Sequence, residues 1–285
     1  LWFCTMGYIN RAYVSLPASE FGTGTGIKTT IGDISEYNGS AFVSDNTGLY
    51  RYLVNDSGRV QFSRLKGLDL QVFDLETATA DNESVLVAAT VNGLYQMDSD
   101  GIVSNFLDRV HLTALKADMN DPSTLLAGST DGIILTLRNS SGEWDVVNMS
   151  KRNMIRGSSV SIEQSTEHDW WVLTSGPSSL YRLLCTPSDT TCIAYDRTKG
   201  LDCDTLNHVV TIDKKLYVST GRGIYRYNPE TDRFEKDNEL IGDTFSTVII
   251  DKVFKTPEGD ICISGYDSHH FFALVTPTRQ GHVIF

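Results

Sequence analysis

Two adjacent histidines in "YDSHHFF", His269 and His270, are the side chains here that most readily suggest a metal. In an extended segment neighbouring residues point to opposite faces, so the pair does not converge on one ion, even with Asp267 close by. "EHDWW" lacks the i, i+4 histidine spacing that sets two ligands on one helix face. "FGTGTGIKTT" echoes a phosphate-binding loop, but Ile27 separates Gly26 from Lys28. The next residues, "IGDISEY", read as strand and not as the helix whose N-terminal amides would hold a phosphate. No G-x-S-x-G nucleophile elbow occurs, and "NSSGEW" matches only part of an S-x-D-x-G-x-x-W Asp box. The expectation is a non-enzyme with no catalytic residues, metal or cofactor.

The five cysteines, Cys4, Cys185, Cys192, Cys203 and Cys262, contain no C-x-x-C pair, which argues against zinc or thioredoxin-like chemistry. Cys185 and Cys192 flank a turn in "CTPSDTTCIAY"; they either face each other as a disulfide or serve as small core residues. Sequons at Asn38, Asn55, Asn82, Asn139 and Asn148 point to surface loops.

Bulk charge narrows the partners. Against 24 Lys and Arg stand 36 Asp and Glu, for a net charge of −12. A nucleic acid would meet repulsion, and no basic stripe offsets it. No run approaches the ~18 apolar residues of a membrane helix, so no direct membrane insertion is expected. The opening "LWFCTMGYIN" has no basic n-region and reads as a chain cut inside a structural element, a fragment of a longer protein.

The elements that must carry any site repeat along the chain. "SAFVSDNTGLYRYLVNDSGRVQF", "SVLVAATVNGLYQMDSDGIVSNF" and "KLYVSTGRGIYRYNPETDRFEKD" share one anatomy: strand, short polar turn with glycine, strand, turn, strand. The turn glycine or its substitute falls at Tyr8, Gly48, Gly93, Gly132, Ser179, Gly223 and Ser268, at intervals of 40, 45, 39, 47, 44 and 45. That is the period of propeller blades. One further alternating stretch, such as "FDLETATA" or "LTALKADM", separates successive copies and gives four strands per repeat. No convincing helical periodicity of ten residues or more is present. The expected fold is all-β: a seven-bladed β-propeller of four-stranded antiparallel blades, the first blade incomplete because "LWFCT" aligns with the second strand "LYVST". As one domain over 1–285, its blades lie near 1–30, 31–67, 68–108, 109–156, 157–204, 205–243 and 244–285. The repeated glycine is expected to supply a positive φ in the tight turn. Trp2, Trp171 and Tyr217 occupy equivalent second-strand positions and are expected to pack between sheets.

"TGRGIYRYNPETDRFEKDNEL" and "SDNTGLYRYLVNDSGRVQF" resemble the two-component regulator propeller repeat, roughly L-W-[IV]-G-T-x-x-G-[LI]-x-R-[YF]-[DN]-x-x-x-x-x-F. The match is good at Gly48 to Tyr52 and Gly223 to Tyr227, fair at Gly93 to Tyr95 and Ser179 to Arg182, and poor in the last repeat. The resemblance implies the periplasmic sensor region of a bacterial hybrid two-component histidine kinase, many of which detect oligosaccharides. It implies adjoining propeller or signalling domains as partners, and it brings no catalytic residues.

In a propeller the turns between second and third strands share a face with the blade-to-blade connections, around the channel mouth. Those turns contribute Asp45, Asn46, Asn92, Asp131, Arg222, Asp267 and His269, and the connections add Lys66, Arg156, Lys199 and Asp243. Of these, Asp45, Asn46, Asn92, Asp131, Arg156, Arg222, Asp267 and His269 are the ligand-binding candidates, suited to an oligosaccharide or other small polar ligand. The expected function is a non-catalytic periplasmic or extracellular sensor propeller. A protein-contact scaffold and a polysaccharide-active enzyme are the alternatives.

Overall fold

A computed structural model describes residues 2–5, 8–13, 16–21, 23–27, 29–151, 154–175, 179–185, 190–202, 205–241, 248–255, 259–267, 269–275 and 281–283. The chain divides into two compact units, 1–154 and 155–285.

The first unit holds four antiparallel sheets. The first has three strands, β1 (Trp2–Thr5), β2 (Tyr8–Tyr13) and β3 (Leu16–Phe21). The second runs β4 (Ile31–Tyr37), β5 (Ser40–Asp45), β6 (Leu49–Val54), β7 (Val60–Arg64). The third runs β8 (Val72–Ala80), β9 (Glu83–Thr90), β10 (Gly93–Met97), β11 (Val103–Asp108). The fourth runs β12 (Leu112–Ala117), β13 (Thr124–Ser129), β14 (Ile134–Ser140), β15 (Glu143–Met149).

The second unit holds three. Its first sheet is β16 (Ser159–Thr166), β17 (Asp169–Thr174), β18 (Ser179–Cys185), β19 (Thr190–Tyr195). Next come β20 (Leu206–Ile212), β21 (Lys215–Thr220), β22 (Gly223–Asn228), β23 (Arg233–Asp237). Last are β24 (Ile249–Lys255), β25 (Ile261–Asp267), β26 (His269–Val275), β27 (Gly281–Val283). All pairing is between sequence neighbours, the up-and-down order of a propeller blade.

The four-stranded antiparallel blade is thus the repeating unit. Five of the sheets are full blades with strands of five to nine residues, fewer than the seven expected. The first sheet has three strands, and the last has a fourth strand of only three residues.

Burial follows strand position. In β13 and β17 all six residues are buried, because a second strand lies inside its blade and is covered on both faces. The fourth strand β15 is exposed except at Trp144. Alternation sorts side chains between cores: Val85, Val87 and Ala89 of β9 pack toward β13, whereas Leu86 and Ala88 pack against Phe42 and Leu49. In β21, Leu216 and Val218 pack with Trp171, and Tyr217 packs with Ile250 and Ile263. Trp171 and Tyr217, 0% and 5% exposed, are inter-sheet packing residues as expected.

Each first strand from β4 onward carries a register shift near its start, as between Val72 and Asp74 or Leu206 and His208. A bulge adds local twist and re-aims the next side chain. The turn glycine meets its expectation at Gly93, with φ 119, where a Cβ would lie 1.8 Å from the Leu107 carbonyl oxygen. Gly48 keeps glycine for a different reason: its φ is not positive, but a Cβ would stand 2.6 Å from the Leu68 oxygen.

Candidate functional site

Four of the second-to-third-strand turns are built on one side-chain oxygen three residues ahead of the glycine. Asp45 Oδ1 accepts from Thr47 N at 2.7 Å, Thr47 Oγ1 at 2.8 Å and Gly48 N at 3.0 Å. Thr90 Oγ1 accepts from Asn92 N at 3.1 Å and donates to Gly93 O at 2.9 Å. Thr220 repeats this with Arg222 N and Gly223 O, both at 2.9 Å. Ser129 Oγ donates to Asp131 Oδ1 at 2.5 Å and accepts from Ile133 N at 2.9 Å. Local side-chain bonding of this kind holds the turn backbone and leaves the tip side chains pointing out. Asn46, Asn92, Asp131 and Arg222 are all exposed.

A second set of bonds fixes where these turns lie. In four blades the residue after the second strand donates to the residue just before the first strand of the same blade. The pairs are Val91 to Gln71 (3.2 Å), Thr130 to His111 (3.2 Å), Ser175 to Ser158 (2.9 Å) and Gly221 to Thr205 (3.1 Å). Turn and incoming connection therefore share one end of each of these blades. In the first unit Gln71 also donates through Nε2 to Asn46 Oδ1 at 3.0 Å, joining the turn of one blade to the entry of the next.

The candidates differ in what they offer a ligand. Asp45 is 0% exposed and is committed to its turn, so it supports the end from within. Arg156 is exposed, with its backbone N–H bonded to Tyr181 Oη at 3.3 Å. Arg222 Nη1 donates to Asp202 O at 3.1 Å and stands 3.6 Å from Asp202 Oδ2. Lys199 does not join them; it bonds Asp232, in the turn from β22 to β23, at the far end of β22 from Arg222. Asp267 and His269 are partners across β25 and β26; their side chains, like Asp243, lie outside the described residues. Asn139, a sequon position, is 9% exposed, and its Oδ1 accepts from Asp81 N at 3.1 Å, so this asparagine belongs to the interior.

Sequence reasoning missed a row of carboxylates along the first strands. A first strand is an edge, with N–H groups that find no ladder partner on one side. Leu75 N donates to Asp33 Oδ2 (3.2 Å), Leu115 N to Asp74 Oδ2 (2.6 Å), Ala117 N to Glu76 Oε1 (3.1 Å) and Thr211 N to Glu163 Oε1 (3.0 Å). Each acid thus satisfies the following blade, and the separations of 42, 41, 41 and 48 residues are one repeat. That recurrence of acids in "IGDISEY", "FDLETATA" and "VSIEQST" was the available signal. Leu75 N also donates to Asp74 Oδ1 at 3.0 Å, so Asp33 and Asp74 converge on a single hydrogen. Burial first, and then the charge of Asp33, hold the Asp74 carboxyl well above the usual carboxylate range.

The second unit holds a partly buried ionic cluster that the sequence reading also missed. Arg182 grips Asp169 with two 2.8 Å bonds, donates to Tyr227 Oη at 2.7 Å, and lies 5.4 Å from the Trp171 ring and 5.2 Å from the Tyr227 ring. Asp232 accepts from Tyr195 Oη at 2.5 Å, from Tyr227 Oη at 2.8 Å and from Lys199. These bonds, led by that of Lys199, hold its carboxyl below the usual range. The cluster is fully bonded and locks two blades of the second unit together. Among the described residues no group of three or more His, Cys, Asp and Glu is placed to hold a metal, and no helix is long and apolar enough to cross a membrane.

No family model matches the chain, and no curated protein matches it. Many solved structures are similar. The extracellular domain assigned to the hybrid two component system BT3049 of B. thetaiotaomicron is 12% identical, with a TM-score of 0.64 over 92% of this chain and 36% of that one. This chain thus spans little more than a third of that domain. Virginiamycin B lyase from Staphylococcus aureus is 12% identical, with a TM-score of 0.63 over 91% of this chain and 85% of that one. The Cps50 (Swd1) β-propeller domain of Myceliophteria thermophila is 11% identical, with a TM-score of 0.61 over 91% and 90%. At these identities the likeness is one of fold, and the fold is a β-propeller.

Proposed function

We propose that this chain is a non-catalytic ligand-binding propeller, extracytoplasmic, and part of a two-component sensor that responds to a carbohydrate-type ligand. One observation carries the reading: the paired bonding that fixes the turns after β9, β13, β17 and β21 beside the connection entering the same blade. Within the first unit it presents Asn92 and Asp131 as exposed groups, with Asn46 joined to them through Gln71; within the second it presents Arg156 and Arg222. Amide, carboxylate and guanidinium groups of this kind suit hydroxyl-rich ligands. The likeness in fold to an extracellular domain of a hybrid two component system supports both the compartment and the signalling role. Adjoining propeller or signalling domains of the same protein would be its relay partners.

The test is a thermal-shift panel of neutral and acidic oligosaccharides. A ligand specific to the native state adds ~2.7 kcal/mol at a hundredfold excess over its dissociation constant. One sugar class should raise Tm, and Asn92→Ala or Arg222→Ala should reduce the rise without changing the unliganded Tm. A panel in which no sugar shifts Tm at millimolar concentration overturns the reading.

A second reading has its own observation. The edge strand β15 exposes Val146, Val147 and Met149 at 42%, 55% and 59%. Apolar exposure along an edge strand favours a protein-contact scaffold.

A further inference from the structure

The repeat places an arginine at the same third-strand position in three blades. Arg51 pairs with Phe42, Arg182 with Trp171 and Arg226 with Tyr217. In two of them the chain neutralises it. Arg182 is bound by Asp169, two residues before its cross-strand partner, and Arg226 lies 3.6 Å from Asp237 and 4.0 Å from Glu239. At Arg51 the position of Asp169 is taken by Ser40. The guanidinium reaches it in the same diagonal way, with Nε and Nη2 at 3.3 and 3.0 Å from Ser40 Oγ. Its remaining contact is the Phe42 ring, 5.9 Å away. Among the described residues Arg51 makes no ion pair.

This arginine lines a shallow cleft, open to solvent and of about 40 Å³, between the sheets β4–β7 and β8–β11. The apolar walls include Tyr37, Phe42, Leu65 and Met97, and the turn from β10 to β11 brings Asp98 into the lining. Asp98 Oδ1 caps its own turn, accepting from Asp100 N at 3.0 Å and Ile102 N at 2.8 Å. Arg51 and Asp98 form no ion pair across the cleft. Strand β5 runs from this end, at Ser40, to the polar turn at Asp45, so the cleft is separate from the turn-bearing end.

We propose that this cleft binds a small carboxylate that also carries a hydrogen-bond donor. The ligand's carboxylate takes the place beside Arg51 that Asp169 holds beside Arg182, its donor faces Asp98, and its carbon face lies against the apolar walls. A single charge that the repeat elsewhere neutralises from within is here met from outside. Acidic monosaccharides and amino acids share this chemistry, the donor being a hydroxyl in one and an ammonium in the other.

Titration calorimetry of the whole chain tests it, with D-glucuronate and L-alanine as the two carboxylates and D-glucose as the neutral counterpart. At least one carboxylate should bind saturably and D-glucose at least tenfold more weakly; which one binds identifies the source. Arg51→Gln should abolish that binding. Ser40→Asp should weaken it at least tenfold while retaining the arginine, because it installs the internal partner that the related blade already tolerates; an unchanged unfolding midpoint certifies this variant. Asn92→Ala, in the β9–β10 turn at the other end of these blades, should bind as wild type, which separates this site from the turn-end site. Absence of saturable binding by both carboxylates, equal binding of D-glucose, or wild-type affinity in Ser40→Asp each overturns the proposal.

Discussion

Arg182 and Asp169 are diagonal neighbours across β17 and β18, joined by two parallel bonds of 2.8 Å, with side chains only 20% and 10% exposed. The fork geometry and the aromatic faces of Trp171 and Tyr227 make this charge pair tolerable inside the blades. Removing one member leaves the other enclosed without a counter-charge. Arg182→Met should therefore destabilise by about 3–5 kcal/mol. The double variant Arg182→Met, Asp169→Leu should cost clearly less than the sum of the two singles, which urea unfolding of all four proteins measures.

The Asp33–Asp74 pair predicts a pH effect of defined sign. Asp74 has a folded pKa raised above its unfolded value near 3.8, so its neutral form is favoured by folding. Its contribution is full below that unfolded value and is lost as pH rises through the folded pKa. Asn at this position retains an acceptor for Leu115 N and can donate to Asp33. Asp74→Asn should flatten the decline of Tm on raising pH above 4, whereas an unchanged slope would remove the pair from the account.

Asp232 has the opposite sign. Its folded pKa lies below 3.8, with Lys199 the first cause and Tyr195 Oη the second, so it stabilises above that value and is lost as pH falls through the folded pKa. Since its side chain is 42% exposed, solvent weakens the effect. Asp232→Asn should lower Tm at pH 7 and reduce the further loss between pH 4 and 2.

Gly93 and Gly39 both have positive φ, but only Gly93 is sterically enclosed. Gly39→Ala, with nothing within 4 Å of the new Cβ, should cost about 1 kcal/mol, the ordinary left-handed penalty. Gly93→Ala meets the Leu107 carbonyl and should cost well above that, on the order of 3 kcal/mol or more as the β10–β11 pairing yields. Denaturant midpoints of the two variants compare the effects directly.

Cys185 and Cys192 are not joined by a disulfide. Cys185 pairs with Thr190 and Cys192 with Leu183, so the two are diagonal neighbours rather than facing residues. Burial raises both thiols, that of Cys192 to about 11, which suppresses the thiolate at neutral pH. Peptide mapping should find these two cysteines without a disulfide, and their alkylation in the native protein at pH 7 should be slow.

The blades were legible because strand pattern and turn glycine are local signals that recur with the repeat. Gly48, Gly93, Gly132 and Gly223 marked the β5–β6, β9–β10, β13–β14 and β21–β22 turns, and the aromatics at 171 and 217 marked the packing. The number of full blades was not legible, since a short strand such as β27 has the same local pattern as a long one. The end-of-blade site was legible only as a list of turn residues. Spacing cannot show that Asp45 is enclosed, nor that Lys199 reaches Asp232 instead of the turns, because each depends on what packs above the strand. The acids at 33, 74, 76 and 163 looked like ordinary polar alternation; their use appears only when the next blade's free edge is set beside them. Arg51 and Arg182 share a motif in sequence, and only the register identifies Ser40 as the counterpart of Asp169.

Titration calorimetry with the oligosaccharide that most raises Tm tests the central claim most directly, because the same trace reports binding and turnover. The account predicts saturable heats that end near one ligand per chain and are weakened at least tenfold by Asn92→Ala or Arg222→Ala. A continuing heat flow proportional to protein concentration, from a ligand being consumed, would contradict a non-catalytic sensor. So would saturable binding that these two substitutions leave unchanged.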